Sequence, residues 1–272
     1  MCTIVTMAKK GIVLAGNNED YTEPRTKIWF VPASKEVYGR VYVGFDSASL
    51  PDSFQGGMND HGLFMDMNAV NPTGWQRDSG KPTFNGDLVE KILANFATVH
   101  EAVEFFQQYD VPDLNTLRVP VADAKGHSVI VEWGQGKQHF LFKEGDYQIS
   151  TNFIQSDYEN PDEYPCQRYQ IADHILRNAE SATVDVIRAV LSATHFDIGS
   201  PTLYSNICDL KQKRLYLYFF HNFEETIVFD LDKELKKGSA SYPIPSLFPT
   251  KPFAAHQYNQ LGPKIARALR NS

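Results

Sequence analysis

The chain has 272 residues, 42% of them hydrophobic and 22% charged, with a formal net charge of −7. That composition fits one large globular domain and excludes a disordered chain. The acidic balance and the lack of a basic run speak against nucleic-acid binding. No apolar run approaches the roughly 20 residues of a membrane-spanning helix.

From the N-terminus, residues 3–8 and 12–16 are short β-rich runs around the turn signal Lys9-Lys10-Gly11, and they predict a hairpin. Residues 1–10 lack the charged start and long apolar stretch of a signal peptide. With three cysteines (Cys2, Cys166, Cys208) at unpaired spacings, the reading is a reduced, cytoplasmic protein without a disulfide framework. Residues 27–32 and 40–45 predict strands rich in aromatics and valine. A further strand over 62–70 follows the turn Asn59-Asp60-His61-Gly62. Apolar spacing predicts helices over 88–100 and 102–109. Residues 117–152 return to β structure, with turns at glycines 126, 134, 136 and 145. Helices over 162–178 and 183–193 precede strands over 202–208, 214–220 and 226–231. A Pro-rich tail begins at residue 238, with a short basic helix expected over 263–269.

This grouping of strands and helices predicts an α+β fold of antiparallel sheets with helices on their outer faces. Without an internal linker, residues 1–272 read as one domain, with 238–272 as a C-terminal extension. The eight histidines are scattered, with no His-x-x-x-His pair and no Cys/His cluster of ligand spacing. No metal or cofactor is expected.

Cys2 carries the chemical interest. If Met1 is removed, its thiol and a free α-amine share one residue. The amine has a reference pKa of about 7.7–8.0 and can take the thiol proton at neutral pH. The bland alternative is a small residue that happens to stand second. The hairpin carries Gly16-Asn17-Asn18-Glu19-Asp20 back beside residue 2, where an acid could steer the amine, although the same residues also suit a polar turn. Asn68 and Asn152, each on an apolar strand, are either satisfied core amides or donors to a developing oxyanion. Arg168, early in a helix, is either a surface cation or part of the same site.

As an ordered set, these residues resemble the choloylglycine hydrolase family of bile salt hydrolases and penicillin V acylases. The pattern runs from Met1-Cys2-Thr3 through Asn17-Asn18-Glu19-Asp20, Met67-Asn68, the hairpin Val121 to Trp133, and Ser150-Thr151-Asn152. It closes at Tyr204-Ser205-Asn206-Ile207-Cys208-Asp209-Leu210. The resemblance implies a four-layer αββα sandwich and a linear-amide hydrolase with an N-acyl small-molecule substrate. Cys2 would be the nucleophile and its amine the base. Asp20 would orient the amine, Asn68 and Asn152 would hold the oxyanion or amine, and Arg168 would complete the set. An acyltransferase using the same thioester, or an inactive ligand-binding relative, are the alternatives, and a homotetramer is the family's usual assembly. Asn17 stands where bile salt hydrolases carry arginine, so either Arg25 or Arg168 must cover the loss or the thiol relies on the amine alone. Asn17 and Asn18, with the aromatics Tyr21, Trp29, Phe64 and Phe153, are candidate substrate contacts. For each aromatic taken singly, ordinary core packing is the favoured reading.

Overall fold

The computed structural model describes residues 2–250 apart from Ser49 and Ile198, together with Pro252, Ala255 and Tyr258. Strands β1 (Thr3–Lys9) and β2 (Ile12–Asp20) form the predicted hairpin. Lys10 and Gly11 both take positive φ, 51° and 80°, as a two-residue turn matched to strand twist demands. Thr3 pairs with Asn18 and Lys9 with Ile12. The two-residue period then sorts the side chains. Ile4, Val13 and Ala15 join one core cluster, while Val5, Met7 and Leu14 join another.

Next come β3 (Thr26–Val31), β4 (Arg40–Ser47), β5 (Leu50–Asn59), β6 (Phe64–Met65) and β7 (Asn68–Ala69). Helices α1 (Leu88–Asn95) and α2 (Val99–Gln108) follow, then β8 (Leu117–Ala122), β9 (Ser128–Gly134), β10 (Lys137–Phe142) and β11 (Tyr147–Ser150). Helices α3 (Gln167–Arg177) and α4 (Val184–Thr194) lead to β12 (Thr202–Asp209), β13 (Arg214–Phe219) and β14 (Asn222–Asp230). The described chain closes with α5 (Leu231–Leu235), β15 (Ala240–Pro243) and α6 (Ile244–Leu247).

One sheet has the order β11-β1-β2-β12-β13-β14, the other β10-β9-β8-β6-β5-β4-β3-β15, with β7 also paired to β8. The pairings between these strands are antiparallel throughout. Three cores define four layers. One lies between the sheets, around Ile4, Phe30, Phe64 and Leu217. A second packs α1 and α2 on the larger sheet through Ile92, Phe106 and Val119. The third packs α3 and α4 on the smaller sheet through Leu176, Ile187 and Ile207. This is the αββα sandwich that the resemblance implies.

Several boundaries differ from the sequence reading. Strand β2 does not stop at Gly16; it carries Asn17, Asn18, Glu19 and Asp20, all buried, in regular pairing with both neighbours. These residues are therefore not a polar turn. The helix expected over 88–100 breaks at Phe96, because Thr98 opens α2 with a capping box in which Glu101 accepts from the Thr98 N–H. The reciprocal cap satisfies donors that a continuous helix would leave to its own carbonyls. The strand expected over 62–70 is split in two. Asp66 N–H donates to the Pro120 carbonyl at 3.2 Å, but proline has no N–H to return, so pairing passes from β6 to β7. Residues 161–163 form a 3₁₀ turn, and α3 starts only at Gln167. In the tail, β15 adds to the larger sheet beside β3, and Ile244 and Phe248 are buried. The helix expected over 263–269 lies outside the described residues.

Candidate active site

Strand parity sets the geometry around Cys2. Thr3 shares a face with Asn18 and Asp20, toward the α3 and α4 layer, while Cys2 shares a face with Asn17 and Glu19, between the sheets. The Cys2 thiol lies 3.6 Å from Glu19 Oε1. The Glu19 carboxylate also accepts from Asn17 Nδ2 and from the Tyr204 hydroxyl, both at 3.4 Å.

The main chain of Cys2 is held from two sides. Its N–H donates to Asn152 Oδ1 at 2.8 Å, and its carbonyl accepts from Asn68 Nδ2 at 3.1 Å. Asn68 is fixed in turn by the Ser150 hydroxyl, which donates to its Oδ1. Asn152 donates its Nδ2 to the Ala69 carbonyl at 2.7 Å. Thus β7 and the end of β11 grip the first residues of β1.

Arg168 completes the arrangement from the second position of α3. Its Nη2 donates to Asn152 Oδ1 at 2.8 Å, its Nη1 donates to Thr3 Oγ1 at 3.0 Å, and Asp20 Oδ2 stands 3.5 Å from Nη1. Its side chain is only 13% exposed, so the surface reading of this arginine does not hold. Asp20 Oδ1 accepts from the Thr202 hydroxyl at 2.5 Å. The fully buried Arg118–Glu132 pair lies alongside, and Arg118 Nη1 donates to the Thr151 carbonyl at 2.9 Å, fixing the backbone just before Asn152.

The electrostatics are those of a buried, acid-rich cluster. Burial, reinforced by Glu19, pushes the Cys2 thiol well up. Burial raises Glu19 as well, and burial together with Glu19 raises Asp66. Burial lifts Asp20 to about 7, against the opposing pull of the Thr202 hydroxyl and Arg168. Low dielectric disfavours each charged form.

The structure brings together Cys2, Asp20, Asn68, Asn152 and Arg168. It places the expected substrate contacts in different surroundings. Asn18 faces the helix layer, donating to the Leu191 carbonyl and accepting from the Ser205 hydroxyl, so its amide is spent in the scaffold. Phe64 has no exposed surface and belongs to the core between the sheets. Trp29 is buried and donates its indole N–H to Asp52. Asn17 is fully buried behind the thiol, bonded to Glu19, rather than lining an open cleft. Tyr21 is exposed and packs on Phe45. Phe153 does border a cavity of about 320 Å³, together with Asn152, Ile154, Trp133 and Thr73. Asn152, which accepts from the Cys2 N–H, links that cavity to Cys2.

As for the arginine that Asn17 replaces, Arg25 is exposed and bonded to Glu23, away from the site. Of these two arginines, Arg168 is the one at the site, and it contacts the face toward α3 and α4 through Thr3 and Asp20. Sequence reasoning gave no role to Glu19, Tyr204 or Asp66. Glu19 had a usable signal, since strand alternation puts it on the face of Asn17 and of residue 2. Tyr204, on β12, and Asp66, between β6 and β7, are far from Cys2 in the chain and had none.

Two antiparallel sheets between helix layers, with a cysteine at the head of the central hairpin, define the N-terminal-nucleophile class of fold. The chain belongs to the acyl-coenzyme A:6-aminopenicillanic acid acyl-transferase family, whose model matches residues 6–222. Among solved structures, it is similar to a mutant of conjugated bile acid hydrolase from Clostridium perfringens. The TM-score is 0.72 at 19% identity, over 89% of this chain and 96% of that one. Another variant of that enzyme gives 0.71 at 19% identity, over 89% and 97%. Penicillin V acylase from Agrobacterium tumefaciens gives 0.68 at 21% identity, over 89% and 90%. No curated protein matches the chain in sequence. The likeness to bile acid hydrolase and penicillin V acylase therefore holds for the fold, and the family is that of the acyl-transferase.

Proposed function

We propose that the protein cleaves a linear amide in an N-acyl amine or N-acyl amino acid through a thioester on Cys2. The observation that carries this is the grip on Cys2, whose nitrogen lies 2.8 Å from Asn152 Oδ1 while Asn152 is held by Arg168. After Met1 is removed, that nitrogen is a free amine. Asn152 Oδ1 takes one of its hydrogens and leaves the lone pair to accept the thiol proton. Arg168, held by Asp20, fixes which way the Asn152 amide faces.

The sulfur then attacks the substrate carbonyl, forming the C–S bond. The C–N bond breaks as the ammonium returns its proton to the leaving amine. Water adds to the thioester, and the acid and free thiol are released. Asn152 Nδ2 gives one hydrogen to the Ala69 carbonyl and in this reading keeps its second for the oxyanion, a contact of the kind worth roughly 2.7–4 kcal/mol. Trp133 and Phe153 offer an apolar wall for an acyl group.

The family description names an acyl transfer, which favours a second reading in which an amine, instead of water, takes the acyl group from the same thioester. One experiment tests the shared core. Amine release is measured from a panel of N-acyl amino acids, penicillin V and conjugated bile salts, alongside the intact mass of the protein. The expected result is loss of Met1, turnover of at least one substrate, and none in Cys2→Ala. Full activity in Cys2→Ala refutes the reading. Adding acceptor amines and measuring new amides separates transfer from hydrolysis.

A further inference from the structure

A second cluster of chemistry-bearing side chains lies outside the site around Cys2. His195 and Asp197 stand in the loop between α4 and β12, and His221 stands in the turn between β13 and β14. His195 Nε2 and His221 Nδ1 each lie 3.1 Å from Asp197 Oδ1, and the three donor atoms are within 4.8 Å of one another. The two rings are 4.7 Å apart, centre to centre. Their side chains are 28% and 17% exposed, whereas that of Asp197 is 67% exposed.

The hydrogen bonding of His195 is informative. Its Nδ1 lies 2.5 Å from the Ser192 carbonyl, which can only accept, so Nδ1 carries a proton. A neutral ring then presents a bare lone pair at Nε2, yet Nε2 faces a carboxylate oxygen that is also only an acceptor when ionised. Two lone pairs facing each other at that distance need a cation between them, either a proton or a metal. A backbone carbonyl on the far nitrogen is the usual support of a metal-ligating histidine. Ligands about 2.0–2.1 Å from a tetrahedral zinc stand roughly 3.3 Å apart, so the separations around Asp197 need little adjustment.

We propose that His195, Asp197 and His221 bind one divalent transition metal of the zinc type, with a fourth position open to water. Two imidazoles and one carboxylate suit zinc, and disfavour the all-oxygen ions magnesium and calcium. The metal ties the α4–β12 loop to the β13–β14 turn. That loop is closed by Phe196 N–H on Thr202 Oγ1 and Thr202 N–H on the Phe196 carbonyl, both at 2.8 Å. The Thr202 hydroxyl in turn holds Asp20. The cluster therefore joins the Cys2 site through one hydrogen-bonded residue. Histidine spacing in the sequence could not show it, because the ligands come from two separate connections.

The test is equilibrium dialysis of the full chain, stripped with chelator, against zinc chloride, with metal counted by mass spectrometry. Wild type is expected to hold one zinc per chain at micromolar free zinc. His195→Gln and His221→Gln are each expected to weaken binding at least tenfold. Asp197→Asn, at an exposed side chain, tests the same ligand set without disturbing the half-buried rings. Cys2→Ala is expected to keep the zinc, which separates this site from metal captured by the nucleophile. Copper(II) in place of zinc is expected to show nitrogen hyperfine splitting that the histidine variants lose. No binding to wild type overturns the proposal and leaves a proton in the cluster. Zinc that follows Cys2 and ignores both histidines overturns it equally.

Discussion

Replacing Asp20 with asparagine is expected to make the protein more stable and less active, and the size of the gain is set by pH. Asp20 is 1% exposed, so its shift needs no discount for solvent screening. Burial lifts its folded pKa to about 7 from an ordinary 3.8. A raised acid holds its proton longer in the folded state than in the unfolded one. Stability is therefore present below the unfolded pKa and is lost as pH rises through the folded value. The shift is about three units at 1.36 kcal/mol each, which gives a loss of roughly 4 kcal/mol between pH 4 and pH 8. Asparagine matches the protonated acid in shape and does not titrate. Urea unfolding of both proteins across that range, compared at each pH, isolates Asp20 from the other buried acids. Asp20→Asn is expected to draw level near pH 4 and lead by about 4 kcal/mol at pH 8. Its kcat is expected to fall, because the carboxylate beside Arg168 is gone. Parallel stability profiles would show that Asp20 carries no such cost.

Glu19→Gln removes the charge facing the thiol, which together with the larger effect of burial holds the Cys2 pKa up. The pH profile of Cys2 alkylation by iodoacetamide is expected to move to lower pH, and an unmoved profile rejects the contact. Asn152→Ala takes away the acceptor of the Cys2 N–H and is expected to cost about 100- to 1,000-fold in kcat, the scale of losing one preorganised polar contact. A wild-type kcat in that variant counts against the amine-orienting role. Phe64→Ala empties a fully buried site in the core between the sheets, with an expected cost of about 3–5 kcal/mol. Its KM should hold; a raised KM at unchanged stability would return Phe64 to the substrate pocket.

Much of this protein is legible from local signals. Lys10-Gly11 demands a tight hairpin, and the hairpin alone brings Asp20 back beside residue 2. Alternation along β1 and β2 and helical spacing at Leu88, Ile92 and Leu93 report one buried face each, which is what a strand or a helix needs in order to pack. Asn68, Asn152 and Arg168 were found through an ordered pattern of motifs, because each alone is an ordinary polar residue. The split between β6 and β7 was not legible, since it depends on Pro120 across the sheet. The interruption at Thr98 was present in the sequence as a capping box, but apolar spacing on both sides outweighed it.

The sequence by itself determined the elements, their buried faces and the placing of a cysteine second in the chain. Only the tertiary structure decided which polar residues meet. Asn17 and Asn18 are neighbours of the same type, yet one stands behind the thiol with Glu19 and the other braces α4. Phe64 and Phe153 are both aromatic, yet one is sealed between sheets and the other borders a cavity. The physical reason is that the chemistry here depends on side chains from β1, β2, β7, α3 and the end of β11 within about one hydrogen-bond length of each other. Sequence spacing fixes faces along one element, but it carries no information on the distance between elements far apart in the chain.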